Sequence, residues 1–383
     1  MRGGSVISET GPTASGAAVW KRISPRQLGL LQFTIIAPTA AISLPGLAMK
    51  QAGHDAVYAV LVGGLIGLTV NFVVMSGLGA ESPQGQMVRV WGRALALPLL
   101  LLFGAGLAFG LMTKWVEFLT MTKLMLLPET PFWAIAILAW LATAAVIGGR
   151  MAGIARTNII FVGLLFAGLL FFDAVAAVHV TVANLRPFAP ASLSSITSAT
   201  LAPASFFAEG VVAATFAGAV NPRRAGDIRK AIVIGTVITL VAVLVSTVEA
   251  LGTFGARTGG MIQSPWFELL NEVRIGTAFS RNAVVLFSLW TAHILIMLAI
   301  WSYALGDTVH HAWPRLPART ASMAGLAVLM SAGLSFMTMT DEMGLISLWG
   351  RLVLPIMVGA VLLTGAASFV ARRRRTHSQA SSS

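Results

Sequence analysis

Cysteine is absent from all 383 residues, which excludes a disulfide framework and any thiolate metal site. Charge is scarce too: Asp, Glu, Lys and Arg make up 10% of the chain, well below what the surface of a water-soluble domain of this length needs. The six histidines, at 54, 179, 293, 310, 311 and 377, include no pair at the i, i+4 spacing of a helical zinc site. Phosphate loops, nucleophile elbows and dinucleotide fingerprints are also missing. Neither an enzymatic role nor a bound cofactor or metal is expected.

What is present is hydrophobicity. Apolar residues are 56% of the chain, and several stretches exceed the roughly 18 residues that mark a membrane-spanning helix. The pattern predicts an all-α polytopic membrane protein of ten spans: 27–48, 56–79, 96–127, 131–148, 157–182, 202–220, 230–255, 282–309, 318–338 and 346–370. The net charge of +12 follows this threading, which argues against a nucleic-acid partner. Of the 26 Lys and Arg residues, 18 fall on one side: Arg2, Lys21, Arg22 and Arg26, Arg89 and Arg93, Arg150 and Arg156, Arg223 to Lys230, Arg315 and Arg319, and Arg372 to Arg375. By the positive-inside rule both termini are cytoplasmic. Residues 1–20, rich in Gly, Ser and Thr, read as a disordered tail, 21–371 as a single transmembrane domain, and 372–383 as a basic tail suited to anionic lipid headgroups.

Two spans carry matching weaknesses. The first contains Ala37-Pro38-Thr39 and then Pro45-Gly46, so it lacks backbone donors in its middle. The sixth runs from Pro203 through Phe206-Phe207-Ala208-Glu209-Gly210 to Asn221-Pro222. Interrupted segments that come first in each group of five point to an inverted 5+5 repeat, halves about 27–182 and 202–370, with a solute site between broken helices 1 and 6. Glu209 sharpens this, because a carboxylate in an apolar span usually faces a polar cavity or a partner. Lys114 and Glu117, three apart in span 3, either neutralise each other or share a cavity or proton path. Asp173 and Glu249 lie nearer the external ends of their spans, while Asn71, Asn158 and His293 suit interhelical hydrogen bonds. Gly63-x-x-x-Gly67 matches a helix-packing motif, and residues 264–273 have the apolar spacing of a short amphipathic helix at the outer interface.

In chain order, several motifs resemble the B-subunit, GerAB-type permeases of spore germinant receptors, within the amino acid–polyamine–organocation superfamily. They include Ile23-Ser24-Pro25-Arg26-Gln27-Leu28, Leu44-Pro45, Ala52-Gly53-His54-Asp55-Ala56, Trp115-Val116-Glu117-Phe118, and Leu126-Leu127-Pro128-Glu129-Thr130-Pro131. Later come Phe206 to Gly210, Asn221-Pro222-Arg223-Arg224, Leu251-Gly252-Thr253-Phe254-Gly255, Ser264-Pro265, Arg281, Trp290 and Ser302-Tyr303-Ala304. The resemblance covers about 22 to 310 and continues more weakly to 370.

That resemblance implies a LeuT-like fold of ten helices and a site between helices 1, 3, 6 and 8. The site would bind a small germinant, usually an amino acid. It also implies an A-type membrane subunit and a C-type lipoprotein as partners, in the cell membrane or spore inner membrane. Carried onto this chain, the solute site comprises Ala37, Pro38, Thr39, Phe206, Phe207, Glu209 and Gly210, with Gly110, Thr291 and Ile294 as walls. Ion or proton candidates are Glu209, Lys114, Glu117 and Asp173. Span 5 carries Arg156-Thr157-Asn158 where some superfamily permeases have a Lys, and the span 1 interruption is Ala-Pro-Thr where many are Gly-rich. The competing reading is a proton-coupled amino acid or amine transporter without a signalling role.

Overall fold

The structure, a computed structural model, describes residues 22–148, 150–186, 192–221, 224–272, 282–335 and 339–380. The expected N-terminal tail, Pro222-Arg223 and Arg281 lie outside them. The helices are α1 (Pro25–Ala52), α2 (Ala56–Leu78), α3 (Pro83–Met125), α4 (Phe132–Gly148), α5 (Arg150–Ala176), α6 (Leu193–Ala199) and α7 (Leu201–Ala208). A 3₁₀ segment, Glu209–Ala219, continues α7. Then follow α8 (Ala225–Gly259), α9 (Pro265–Glu272), α10 (Asn282–Ala312), α11 (Ala318–Gly333) and α12 (Met339–Leu348). A π turn, Trp349–Val353, leads into α13 (Leu354–Ala380), so the backbone stays helical into the basic tail.

Among the described residues seven segments are long and apolar enough to cross a membrane, the first of them, Pro25–Leu78, holding both α1 and α2. The chain is an integral membrane protein. Leu65, Leu138, Leu170 and Ile160 are exposed on its perimeter, as a lipid-facing surface requires. Gln32, Asn71, Lys114, Glu117, Asn158, Glu209 and Glu249 are buried inside the bundle instead.

Local sequence explains how α1 starts. Pro25 occupies its first turn, where a missing N–H costs nothing, and Ser24 and Gln27 form a capping box: Gln27 N donates to Ser24 Oγ at 3.2 Å and Ser24 N to Gln27 Oε1 at 2.8 Å. Just before this cap, Ile23 N donates to Ala219 O at 3.0 Å and Asn221 N to Ile23 O at 2.9 Å. The start of α1 is thereby stitched to the end of the 3₁₀ segment, so the first and sixth spans lie side by side and run opposite ways. α1 packs most extensively along α8, and α10 along α3 and α11.

Two expectations change and a third is sharpened. The first span is not unwound at Ala37-Pro38-Thr39, because α1 keeps helical geometry through Pro38 and Pro45. Each proline removes one backbone bond, and the surrounding buried helices hold the remainder. The span expected at 96–127 starts a few residues earlier, straight after Gly92, whose non-helical φ of 68° favours glycine and separates the span from a short helix that begins at Pro83. The amphipathic segment at 264–273 forms a helix, α9, whose apolar face turns into the protein: Trp266, Phe267, Leu269 and Leu270 are all buried, and the chain before it rests on Gly46 of α1.

Candidate functional site

The 3₁₀ segment decides where the sixth span's carboxylate goes. A 3₁₀ helix rises about 2.0 Å per residue against about 1.5 Å in an α-helix, so α7 and its continuation cover about 34 Å with 19 residues. The change of helix type falls at Glu209, which is completely buried. Gly210 next to it is a contact point, since a Cβ there would overlap the amides of Gln32 and Asn71. Those amides are themselves anchored: Gln32 Nε2 donates to Thr236 Oγ1 at 2.9 Å and Asn71 Nδ2 to the carbonyl of Phe207 at 2.9 Å. The Phe207 carbonyl, which also accepts from the Glu209 N–H at the transition, thus gains a partner on α2.

Glu209 is paired. Its Oε1 lies 2.9 Å from Lys114 Nζ, with both side chains at most 1% exposed, and accepts a hydrogen bond of 2.8 Å from Trp349 Nε1 in the π turn. Lys114 Nζ also donates to Thr39 Oγ1 at 3.0 Å and sits 4.5 Å from the centre of the Phe206 ring, a cation–π contact. One turn further along α1, Ser43 Oγ donates to Glu117 Oε1 at 2.6 Å. The i, i+4 pair Thr39 and Ser43 on α1 therefore meets the i, i+3 pair Lys114 and Glu117 on α3. Lys114 and Glu117 do not simply neutralise each other, since the lysine turns to a different helix, where a carboxylate, a hydroxyl and an aromatic face satisfy it.

Buried ions are tolerated only when charge and hydrogen-bond capacity are matched. Here one ammonium faces two carboxylates, and the second oxygens of both Glu117 and Glu209 have no hydrogen-bond partner among the described residues. The cluster has unused acceptor capacity in a buried interior, the condition in which an additional donor binds most strongly.

The other expected residues fall in different places. Ala37 is buried and lines a small cavity with Asp173 and Trp290, whereas Phe207 has its Cβ against Gly67 of α2, so that the Gly63-x-x-x-Gly67 motif serves packing of α2 on α7. Pro38 offers its carbonyl to Trp290 Nε1 at 2.8 Å. Gly110 is not a solute wall: the rings of Trp301 and Trp349 fill the space its missing side chain leaves. Ile294 is fully buried and Thr291 Oγ1 is buried without a hydrogen-bond partner among the described residues, and neither bonds to the cluster. Asp173 belongs elsewhere, beside Glu249 and Trp266, where Trp266 Nε1 donates to Glu249 Oε2 at 3.1 Å. His293 makes no hydrogen bond among the described residues and instead meets Phe33 edge-on, at 5.8 Å between ring centres, whereas Asn71 and Asn158 do bridge helices.

Sequence reasoning missed Ser43 and Trp349. Ser43 was visible as the residue one turn after Thr39. A tryptophan within an apolar run reads as core, and only Arg351, two residues on, signals that this stretch differs from plain lipid-facing helix.

The arrangement matches known transporter architecture. The chain superimposes on Mhp1, a nucleobase-cation-symport-1 family transporter solved in a closed conformation with bromovinylhydantoin bound, with a TM-score of 0.64 at 14% identity over 88% of this chain and 78% of that one. It superimposes equally on a Na⁺-coupled sialic acid symporter in a substrate-bound outward-open state, with a TM-score of 0.63 at 13% identity over 90% and 79% of the two chains. These likenesses establish the LeuT-like transporter fold. No curated protein sequence matches. The profile described as spore germination protein matches residues 22–336, through the cap of α1, the Lys114 helix, the Glu209 transition and α11. On that match, the chain belongs to the spore germination permease family.

Proposed function

We propose that this permease-like membrane protein is the germinant-binding subunit of a spore nutrient receptor, and that it senses an amino acid or a similar small solute between α1, α3 and the α7–3₁₀ transition. The observation that carries this reading is the buried Lys114–Glu209 pair, placed where the sixth span changes helix type and touched by α1 and the π turn. Ionisable groups at such depth are expensive and are retained where function uses them. A zwitterion can exchange with this pair, its ammonium taking Glu209 and its carboxylate taking Lys114. Exchange would release α3 from the sixth span and bias a two-state bundle. Both structural neighbours handle small polar solutes: one holds bromovinylhydantoin and the other is a sialic acid symporter. A-type and C-type partner subunits would read the change, in the cell membrane or spore inner membrane, with the basic loops and both termini on the cytoplasmic side.

The test is thermal stabilisation of the purified chain in detergent by each common amino acid, with Glu209→Gln measured alongside. A ligand that binds only the native state raises its melting temperature by mass action. A specific shift that Glu209→Gln loses is the expected result; equal shifts in both proteins would remove Glu209 from the site.

One observation favours the second reading, a proton-coupled transporter: Glu117 and Glu209 share one lysine, which leaves a place for a proton. Amino acid uptake into proteoliposomes that depends on an imposed pH gradient and is lost in Glu209→Gln would support it.

A further inference from the structure

Two residues beyond the tryptophan that binds Glu209 stands Arg351, the sole charged residue of the apolar segment Gly344–Val370. It is not among the 18 basic residues on the cytoplasmic side of the threading, so topology does not account for it. A basic residue within an apolar spanning segment is uncommon and marks a functional position by default. Arg351 takes part in no ion pair among the described residues.

Arg351 lines a cleft of about 80 Å³ formed by the end of α1, by α6 and α7, and by α12 with its π turn, at the end of the molecule opposite the basic loops. Its polar lining is otherwise neutral, supplied by Gln51, Ser198, Ser205 and Ser347. The cleft ends against the buried cluster. Ser205 lies one helical turn before Glu209, and its hydroxyl packs on Gly350, where a Cβ would come within 2.7 Å of Ser205 Oγ. Gly350 in turn adjoins Trp349. The π turn therefore presents one residue to Glu209 and, two positions later, a guanidinium to the cleft, and π turns of this kind recur at functional sites.

We infer that this cleft is the entry subsite for the solute's carboxylate and that Arg351 is the residue that holds it. The inference rests on the small-solute reading above and names the chemical class: a small carboxylic acid bearing an ammonium group, which the cleft orders with its carboxylate on Arg351 and its ammonium toward Glu209. A guanidinium pairs with a carboxylate through two parallel hydrogen bonds, a geometry that a carboxamide cannot reproduce with charge. Among the described residues no acidic side chain lines the cleft, so the cleft favours a carboxylate over a simple amine. The small volume limits the solute to roughly amino-acid size.

The experiment compares each common L-amino acid with its own carboxamide by thermal-shift titration of the full chain in detergent, for wild type, Arg351→Gln, Arg351→Lys and Glu209→Gln. Expected for the binding amino acid is an affinity about tenfold or more above that of its amide in wild type, a preference abolished in Arg351→Gln and partly kept in Arg351→Lys. Because Arg351 is exposed, its variants should melt like wild type without ligand, which separates lost binding from lost folding. If an amino acid binds, Glu209→Gln loses it and Arg351→Gln keeps the full preference for the carboxylate, the Arg351 assignment is wrong while the small-solute reading survives. If no carboxylate shifts the folded wild type, both fall together.

Discussion

The first and sixth spans carry the same role in the two halves of the fold, yet they solve the problem of a polar membrane interior differently. The first holds two prolines and remains one helix of 28 residues. The sixth has none between Pro203 and Pro222, and it abandons the α-helix at Glu209 for eleven residues of 3₁₀. Proline content therefore does not decide where a membrane helix unwinds. Partners do: Gln32, Asn71, Lys114 and Trp349 surround the sixth span's transition with donors, whereas among the described residues the middle of α1 receives a side-chain donor at one carbonyl, that of Pro38, from Trp290. If this is right, the sixth span is held by tertiary contacts and the first by its own backbone, and substitutions should separate them.

The largest effect is expected at the ion pair. Lys114→Met leaves Glu209 buried without its countercharge, and removing one partner of a buried pair costs about 3–5 kcal/mol. The double variant Lys114→Met with Glu209→Gln removes the stranded charge and should recover much of that loss. Denaturation in detergent, followed by helical signal and by tryptophan fluorescence, measures both. A double variant as unstable as the single would mean that Lys114 matters for packing alone, and the contrast between the spans would lose its electrostatic basis.

Gly210→Ala tests the same region by volume and not by charge. A methyl group must displace the Gln32 and Asn71 amides, and Asn71 gives up its bond to the Phe207 carbonyl if it moves. Overpacking of this kind costs about 1–3 kcal/mol. Asn71→Ala combined with Gly210→Ala should then be less than additive, because the two changes act on one contact.

Much of this was legible from the residues. Pro25 after Ser24, with Gln27 beyond, announces a capped start, and the capping box forms as written. Charge and hydropathy place Glu209, Lys114 and Glu117 at membrane depth, and all three are buried. Their pairing was not legible, because Lys114 and Glu209 are 95 positions apart and either neighbour of Lys114 satisfies a local rule. Gly110 illustrates the reverse error. A glycine in a span facing the site suggests room for a solute, but two tryptophans from α10 and the π turn occupy that room. Small residues show where something approaches closely, and only the fold shows what.

On the first span the effects should shrink. Trp290→Phe keeps an aromatic ring beside Phe287, whose ring centre lies 4.6 Å from that of Trp290, but gives up part of the indole's packing and deletes the N–H that reaches the Pro38 carbonyl. A hydrogen bond of this type contributes about 0.5–1.5 kcal/mol net. The loss should sit at the lower end of that range if the carbonyl stays engaged within the continuous helix.

Pro38→Ala gives the smallest expected change and the sharpest contrast. In an unwound segment the proline would be part of the geometry, and its replacement would let the chain wind up, with a large effect on solute affinity. In a helix that is already continuous, alanine restores a backbone donor toward the carbonyl of Thr34 while giving up a few ring contacts in the small cavity beside Trp290 and Phe267. These terms oppose each other, and stability should change by less than about 1 kcal/mol. Affinity for the bound amino acid should stay within a few-fold of wild type, against its loss in Glu209→Gln. A drop in affinity as severe as that of Glu209→Gln would show that α1 opens at Pro38 when solute binds, and would make the two spans equal partners in the motion.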